Sequence, residues 1–416
     1  MRVVMVGIGL VLLLAVLVVS NRIAPVHGAG NAGFAAVPGS RGGQDIFGPY
    51  DVAKDWPRNL ATLPGNEKWT WGSVEGVFAE SPNRIFVVQR GELPNLDRPK
   101  QVGLPELGPS LVFPVSQAPF RNATEASPPK LRPGAPANTP DVDWHFAHCV
   151  VVVDANGNIA EDWSQWDKLF TRPHSVFINP YDPQKHIWIV EDVGSAIYEF
   201  TNDGKELVKT IGTPNQPGND ETHFNGPTFL AWLPDSTLFV ADGYRNQRVV
   251  KFDKNGKYLT QWGQKGNPPN DTRPGYFNTV HGVLVDQKTR RVFVNDRGNH
   301  RIQIFDENGK FLDQWSTGGV NTDIHVIHMS ADRHIWAGDR ATSKIIEWDL
   351  DGHLLYTWGT YGDWPGAMWG VHGMSVDQEG NFYVAEVNAG RVQKYIPRQG
   401  ANPALLVGKP VYSAWK

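Results

Sequence analysis

The chain has a single cysteine, Cys149, in 416 residues. One thiol cannot form an intramolecular disulfide framework, so stability must come from packing and from any bound metal. Cys149 opens the apolar run Cys149 to Val153, which reads as a buried core thiol rather than a nucleophile. Concentrated positive charge is also missing. Lys and Arg total 39 against 43 acidic residues, a formal charge of −4, and they are scattered along the chain, which excludes a broad nucleic-acid face.

One long apolar run stands at the amino terminus. Val3 to Val19 follows Arg2, and Val26-His27-Gly28 places small residues before Ala29, as a signal-peptidase site would. Residues 1–28 are therefore expected to be a signal peptide or, since the run is just long enough to span a bilayer, a membrane anchor. Either leaves the remainder exported, whether periplasmic, secreted or anchored, with no other membrane contact. Residues 29–67, rich in Gly, Ala and Pro at their start and without periodicity, read as a flexible linker.

Turn formers and aromatic residues are plentiful, with 43 Gly, 31 Pro and 16 Trp. Gly and Pro supply turn dihedrals and large rings fill the space between sheets, so the composition favours an all-β chain of many short strands. A repeat confirms that direction. Pro227-Thr228-Phe229, Leu238-Phe239-Val240-Ala241-Asp242 and Val249-Val250-Lys251-Phe252-Asp253 align with His281-Gly282-Val283, Val292-Phe293-Val294-Asn295-Asp296 and Ile302-Gln303-Ile304-Phe305-Asp306. After each copy come Asn-Gly-Lys and a strand reaching Trp, which makes four antiparallel strands per unit. Further copies start near Gly76, His174, Ile327 and His372, at intervals of roughly 45–54 residues, the length of a propeller blade. The prediction is a six-bladed β-propeller over residues 68–416, with an insertion in blade one at about 93–140. Lys68 to Gly72 matches the blade-ending strands at Gln261-Trp262-Gly263 and Thr357-Trp358-Gly359, so it is expected to close the ring.

Three histidines fall at a shared register: His174 in Arg172-Pro173-His174-Ser175, His281 in Val280-His281-Gly282 and His372 in Val371-His372-Gly373. Blades one and three are read with Gly76 and Pro227 at that register, so the blade itself does not demand histidine. Three neutral imidazoles with one open position suit catalytic zinc. The alternative is that they cap strands or fill the channel. His325 and His328, near the register of blade five, are the competing ligands.

The pattern is that of NHL-type propellers, and the middle of the chain is similar to the peptidyl-α-hydroxyglycine amidating lyases. The similarity is carried by Gln216-Pro217-Gly218, His223-Phe224, Asp242-Gly243-Tyr244-Arg245-Asn246, Gln261-Trp262-Gly263 and Asp296-Arg297-Gly298-Asn299-His300-Arg301. It runs from about Gly76 to Tyr395. The resemblance implies zinc on His174, His281 and His372, with Tyr244 as base for a hemiaminal hydroxyl and Arg297 and Arg90 as clamps on a terminal carboxylate. Left to the residues alone, Tyr244 could pack on a neighbouring blade and the arginines could form inter-blade ion pairs. The family's channel calcium would use the backbone carbonyls of Val77 and Val176, but its aspartate is replaced by Gly373, which puts calcium in doubt.

Three functions follow from this reading: a zinc lyase acting on a small molecule or peptide with a C-terminal carboxylate, a non-catalytic propeller binding a peptide, glycan or protein, and another channel chemistry such as lactone hydrolysis or ring opening of a cyclic peptide.

Overall fold

Alternating apolar residues bounded by Asp-Asn-Gly turns pair as short antiparallel strands, and they do so in six four-stranded sheets. The computed structural model describes residues 46–96, 140–267 and 271–412, together with the backbone of 102–103 and 112–113. The expected signal or anchor at 1–28 lies outside the described residues. Among the described residues no helix is long and apolar enough to cross a membrane.

The innermost strands are Val74–Ser81, Pro173–Ile178, Pro227–Trp232, Val280–Val285, Ile324–Met329 and Val371–Val376. Each touches the innermost strand of the next blade, and the sixth touches the first, so the ring is closed. Apolar clusters lie between successive blades, as expected where each sheet must bury both faces. Cys149 sits in one of them, fully buried, with its thiol pushed well up by burial, as befits a core residue.

The acid that ends the second strand of most repeats has a structural task. Asp242, Asp296 and Asp339 accept the backbone N–H of Asn225, Asn278 and Asp323, at 2.9, 2.7 and 2.8 Å. Glu191 and Glu386 do the same for Thr171 and Trp369, and Gln89 serves Gly72 in blade one. These bonds fix the loop just before each inner strand, where backbone groups would otherwise be buried without partners.

Two boundaries differ from the sequence reading. The ring is closed not by Lys68 to Gly72 but by Tyr50–Val52, which pairs with Arg391–Pro397 as the outer strand of blade six. Trp69–Trp71 instead pairs with Glu92–Pro94 at the start of the insertion. Packing decides between them. Tyr50 is fully buried against Trp358, Phe382 and Tyr395, and its hydroxyl accepts the Val407 N–H at 2.7 Å. Residues 46–67 are consequently part of the propeller rather than linker, with Trp56 and Leu60 also buried.

Candidate metal centre

All six inner strands carry a β-bulge near their start, seen as a register shift against the second strand. A bulge leaves one residue out of the ladder and re-aims its side chain. The second residue of each strand is Glu75, His174, Thr228, His281, His325 and His372. This shifts the sequence register by one in two blades: Glu75 and Thr228 stand where Gly76 and Pro227 were expected. The signal was present, because Val74-Glu75-Gly76-Val77 aligns with Val280-His281-Gly282-Val283.

His174, His281 and His372 meet in the channel, buried, with their ligand nitrogens all within 4.8 Å of one another. Each ring is held by the following blade. Nδ1 of His174 bonds Thr228 O at 3.1 Å, that of His281 bonds His325 O at 2.6 Å, and that of His372 bonds Glu75 O at 2.7 Å. A carbonyl only accepts, so each Nδ1 must carry the proton and each Nε2 presents a lone pair to the centre. Burial, followed by the positive field of Arg90 for His174, Arg297 for His281 and the neighbouring imidazole of His174 for His372, keeps all three far below their usual protonation range.

The Tyr244 hydroxyl lies 2.9 Å from both His174 Nε2 and His281 Nε2. A phenol has one proton and can donate to only one of two accepting nitrogens. The donor set is therefore rich in lone pairs and short of protons, which fits a borderline cation of the zinc class. The hydrogen-bonded Nδ1 atoms supply the outer support that such ligands normally have.

His325 reaches the same layer, with its ring 4.9 Å from that of His281. Its Nε2 turns to Asp323 and Arg297, both at 3.1 Å, so it stays out of the ligand group. Burial and then Arg297 push it down to about 4. His328 points elsewhere, to Gly408 O at 2.8 Å.

Charged residues surround Tyr244. Arg297 and Arg172 each place a guanidinium 5.7 Å from its ring centre. Burial raises the phenol, Arg297 opposes that, Asp192 adds to it, and Arg90 and Arg172 pull it back. Arg90 is buried, with Nη1 2.9 Å from Glu75 Oε1 and Nη2 3.8 Å from Asp192. Arg297 is more accessible, pairing loosely with Asp323 at 3.5 Å. Arg172, Asp192 and Glu75 were not singled out in the sequence; Arg172 binds Asp192 through two nitrogens.

Calcium does not fit. Val77 and Val176 are in place, but the channel beyond the histidines is a cavity of about 160 Å³ whose wall is mainly apolar, including Phe229, Leu284, Ile327 and Met374. A hard cation needs oxygen ligands with compensating charge. Nor could an aspartate at 373 restore it easily, because a Cβ there would lie 3.1 Å from Glu75 O and Gly76 Cα.

Fold and site together define a six-bladed β-propeller with a three-imidazole cage at the bulged ends of alternate blades. No family model matches the chain. By sequence, 160 residues are 34% identical to peptidylglycine alpha-amidating monooxygenase of Rattus norvegicus, covering 38% of this chain and 16% of that protein. Peptidyl-alpha-hydroxyglycine alpha-amidating lyase 1 of Drosophila melanogaster is 30% identical over 168 residues, 39% of this chain and 30% of that one. NHL repeat-containing protein 3 of Mus musculus is 33% identical over 159 residues, 36% and 44% respectively. The matched part thus spans less than half the length of these curated relatives. The protein is a six-bladed β-propeller with homologues named as amidating lyases and as NHL repeat-containing proteins.

Proposed function

We propose that this protein is an exported, metal-dependent lyase that cleaves the C–N bond of an α-hydroxyglycine-type hemiaminal, yielding an amide and glyoxylate. The observation that carries the reading is the convergence of His174, His281 and His372 with every Nδ1 tied to a carbonyl and every Nε2 turned inward. Relatives named as amidating lyases support the reaction class.

Zinc bound by these nitrogens would supply Lewis-acid polarisation of the substrate hydroxyl. Tyr244, as phenolate, takes the hydroxyl proton; the electron pair left on that oxygen becomes the second C–O bond of glyoxylate as the C–N bond breaks, and the C–N pair leaves on the amide nitrogen, which takes the proton back from Tyr244. Burial holds the Tyr244 phenol above its ordinary range, Arg297 and then Arg90 and Arg172 oppose that, and a cation bound beside the hydroxyl would supply the further positive charge that the phenolate in this step needs. Arg297 holds the substrate carboxylate, since it is the more accessible guanidinium and is only loosely paired. Arg90 acts through its charge on Tyr244, its guanidinium being engaged by Glu75.

The test is metal analysis of the purified protein combined with a glyoxylate assay on α-hydroxyhippurate. About one zinc per chain, and glyoxylate release abolished by chelation and restored by zinc, is the expected result. Zinc-loaded protein that releases no glyoxylate from any hydroxyglycine substrate overturns the reaction. Export is tested separately, by a reporter joined after residue 28 that should be active only outside the cytoplasm.

A further inference from the structure

Blades four and five both end their second strand in Asp-Arg, as Asp296-Arg297 and Asp339-Arg340. The two arginines are backbone equivalents. The N–H of Arg297 bonds Thr279 O and that of Arg340 bonds Asp323 O, each at 3.0 Å and two residues ahead of His281 and His325. Adjacent blades therefore send guanidiniums into one layer, and they meet. Arg297 Nη1 and Arg340 Nη1 flank a single atom, His325 Nε2, at 3.1 and 3.5 Å. Both also reach one carboxylate, since Asp323 lies 3.5 Å from Arg297 Nε and 3.4 Å from Arg340 Nη1. Arg340 Nε donates to Asn388 Oδ1 at 3.3 Å, which fixes the far edge of its fork.

Three features suit this pair to an anion. Among the described residues, Asp323 is the one carboxylate that pairs with either arginine, so two guanidiniums share a single negative charge. Both ion pairs are longer than the about 2.7–2.9 Å of a strong charge-assisted bond, and among the described residues neither Nη2 gives a hydrogen bond. The place is also reachable and close to the candidate centre. The Arg340 side chain is 42% exposed and that of Arg297 19%, while the Arg297 guanidinium stands 5.7 Å from the ring centre of Tyr244, whose hydroxyl touches two of the clustered imidazoles.

We propose that Arg340 is a second carboxylate-binding residue, so that the substrate carboxylate lies across Arg297 and Arg340 rather than on Arg297 alone. This rests on the carboxylate-bearing substrate class of the reading above. A guanidinium offers five donors in a rigid fork, so each arginine can give one to a shared carboxylate while others stay on Asp323, His325 or Asn388. Those three residues position the forks. Arg340 thereby sets specificity for an anionic end and leaves the bond cleavage to the groups around Tyr244. The competing role is a partly exposed ion pair of Arg340 with Asp323, which contributes little and touches no ligand.

Hippurate separates the two roles, since it carries the carboxylate but no hydroxyl and binds without reacting. Hippuramide is its uncharged counterpart. Each is titrated calorimetrically into zinc-loaded wild type and Arg340→Ala. The expected result is ~10–100-fold weaker hippurate binding in Arg340→Ala, the range for losing hydrogen bonds to a charged group, while hippuramide binds the two proteins alike. A hippurate loss below about fivefold, an equal loss for hippuramide, or a wild type that binds no hippurate overturns the proposal. If Arg340→Ala does not fold, Arg340→Gln, which keeps an amide donor for Asn388 and removes the charge, is read by the same limits. Failure of the lyase reading appears in the glyoxylate assay instead. Hippurate affinity that depends on Arg340 in a protein that releases no glyoxylate sinks the reaction and leaves the anion site standing.

Discussion

Blades two, four and six differ from blades one, three and five at the same bulged residue. The even blades present His174, His281 and His372, whereas the odd blades present Glu75, Thr228 and His325. Each even-blade imidazole is held through Nδ1 by the backbone carbonyl of the odd-blade residue that follows it. One backbone geometry, repeated six times, therefore does two jobs: alternate blades supply ligands, and the blades between them fix ligand tautomer and orientation. Because the holding groups are backbone carbonyls, the odd-blade side chains are free to differ, and they do.

The largest effect should come from removing an even-blade ligand. His174→Ala, His281→Ala or His372→Ala should each lower zinc affinity by more than about a hundredfold, beyond what loss of an outer partner costs. His325→Ala deletes an imidazole at the same position of an odd blade and leaves its carbonyl in place, so zinc stoichiometry should be unchanged. Equal zinc loss from His325→Ala and His281→Ala, read by metal analysis after dialysis, would erase the division between the two sets of blades.

Next in size is the loop side of the site. Tyr244 touches two even-blade nitrogens at 2.9 Å. Tyr244→Phe should retain zinc and lower kcat by about a hundredfold or more, the usual scale for losing a general base. Unchanged turnover would remove Tyr244 from the chemistry. The arginines sharpen the point. Arg297→Ala should raise KM, lower kcat, or do both, according to whether its contact with the substrate carboxylate strengthens in the transition state. Arg90→Ala should instead disturb the fold or the metal site, because it strips the buried Glu75 carboxylate of its guanidinium. Circular dichroism and metal analysis would distinguish the two outcomes.

Much of this was legible in the sequence because the repeat is local. Strand alternation, the Asp that ends the second strand and the Asn-Gly turn all act within one blade, and they located the starts of the inner strands to within three residues. The three histidines could be read because they recur at one register. Closure was misread because a strand's partner is a long-range property: Tyr50–Val52 is too short to show periodicity, and its place depends on rings more than 300 positions away, at Trp358, Phe382 and Tyr395. Glu75 was overlooked for a different reason. A bulge shifts the side-chain register by one residue, and counting from Gly76 instead of Val74 put the wrong side chain at the rim.

The smallest predicted effect tests the holding blades directly. Thr228 O accepts the His174 Nδ1 proton at 3.1 Å and the Ser175 hydroxyl at 2.6 Å, so one odd-blade carbonyl serves two donors from the same even blade. Ser175→Ala removes one of these donors. A buried hydrogen bond contributes about 1 kcal/mol net, and because the carbonyl keeps its imidazole partner no acceptor is left unsatisfied. Unfolding by urea should therefore show a loss of about 1 kcal/mol, while zinc affinity should hold or rise slightly as the carbonyl gives more of its density to His174. If zinc affinity instead falls in step with stability, the imidazole is positioned by the packing of its own blade and the carbonyl of the next blade is incidental to it.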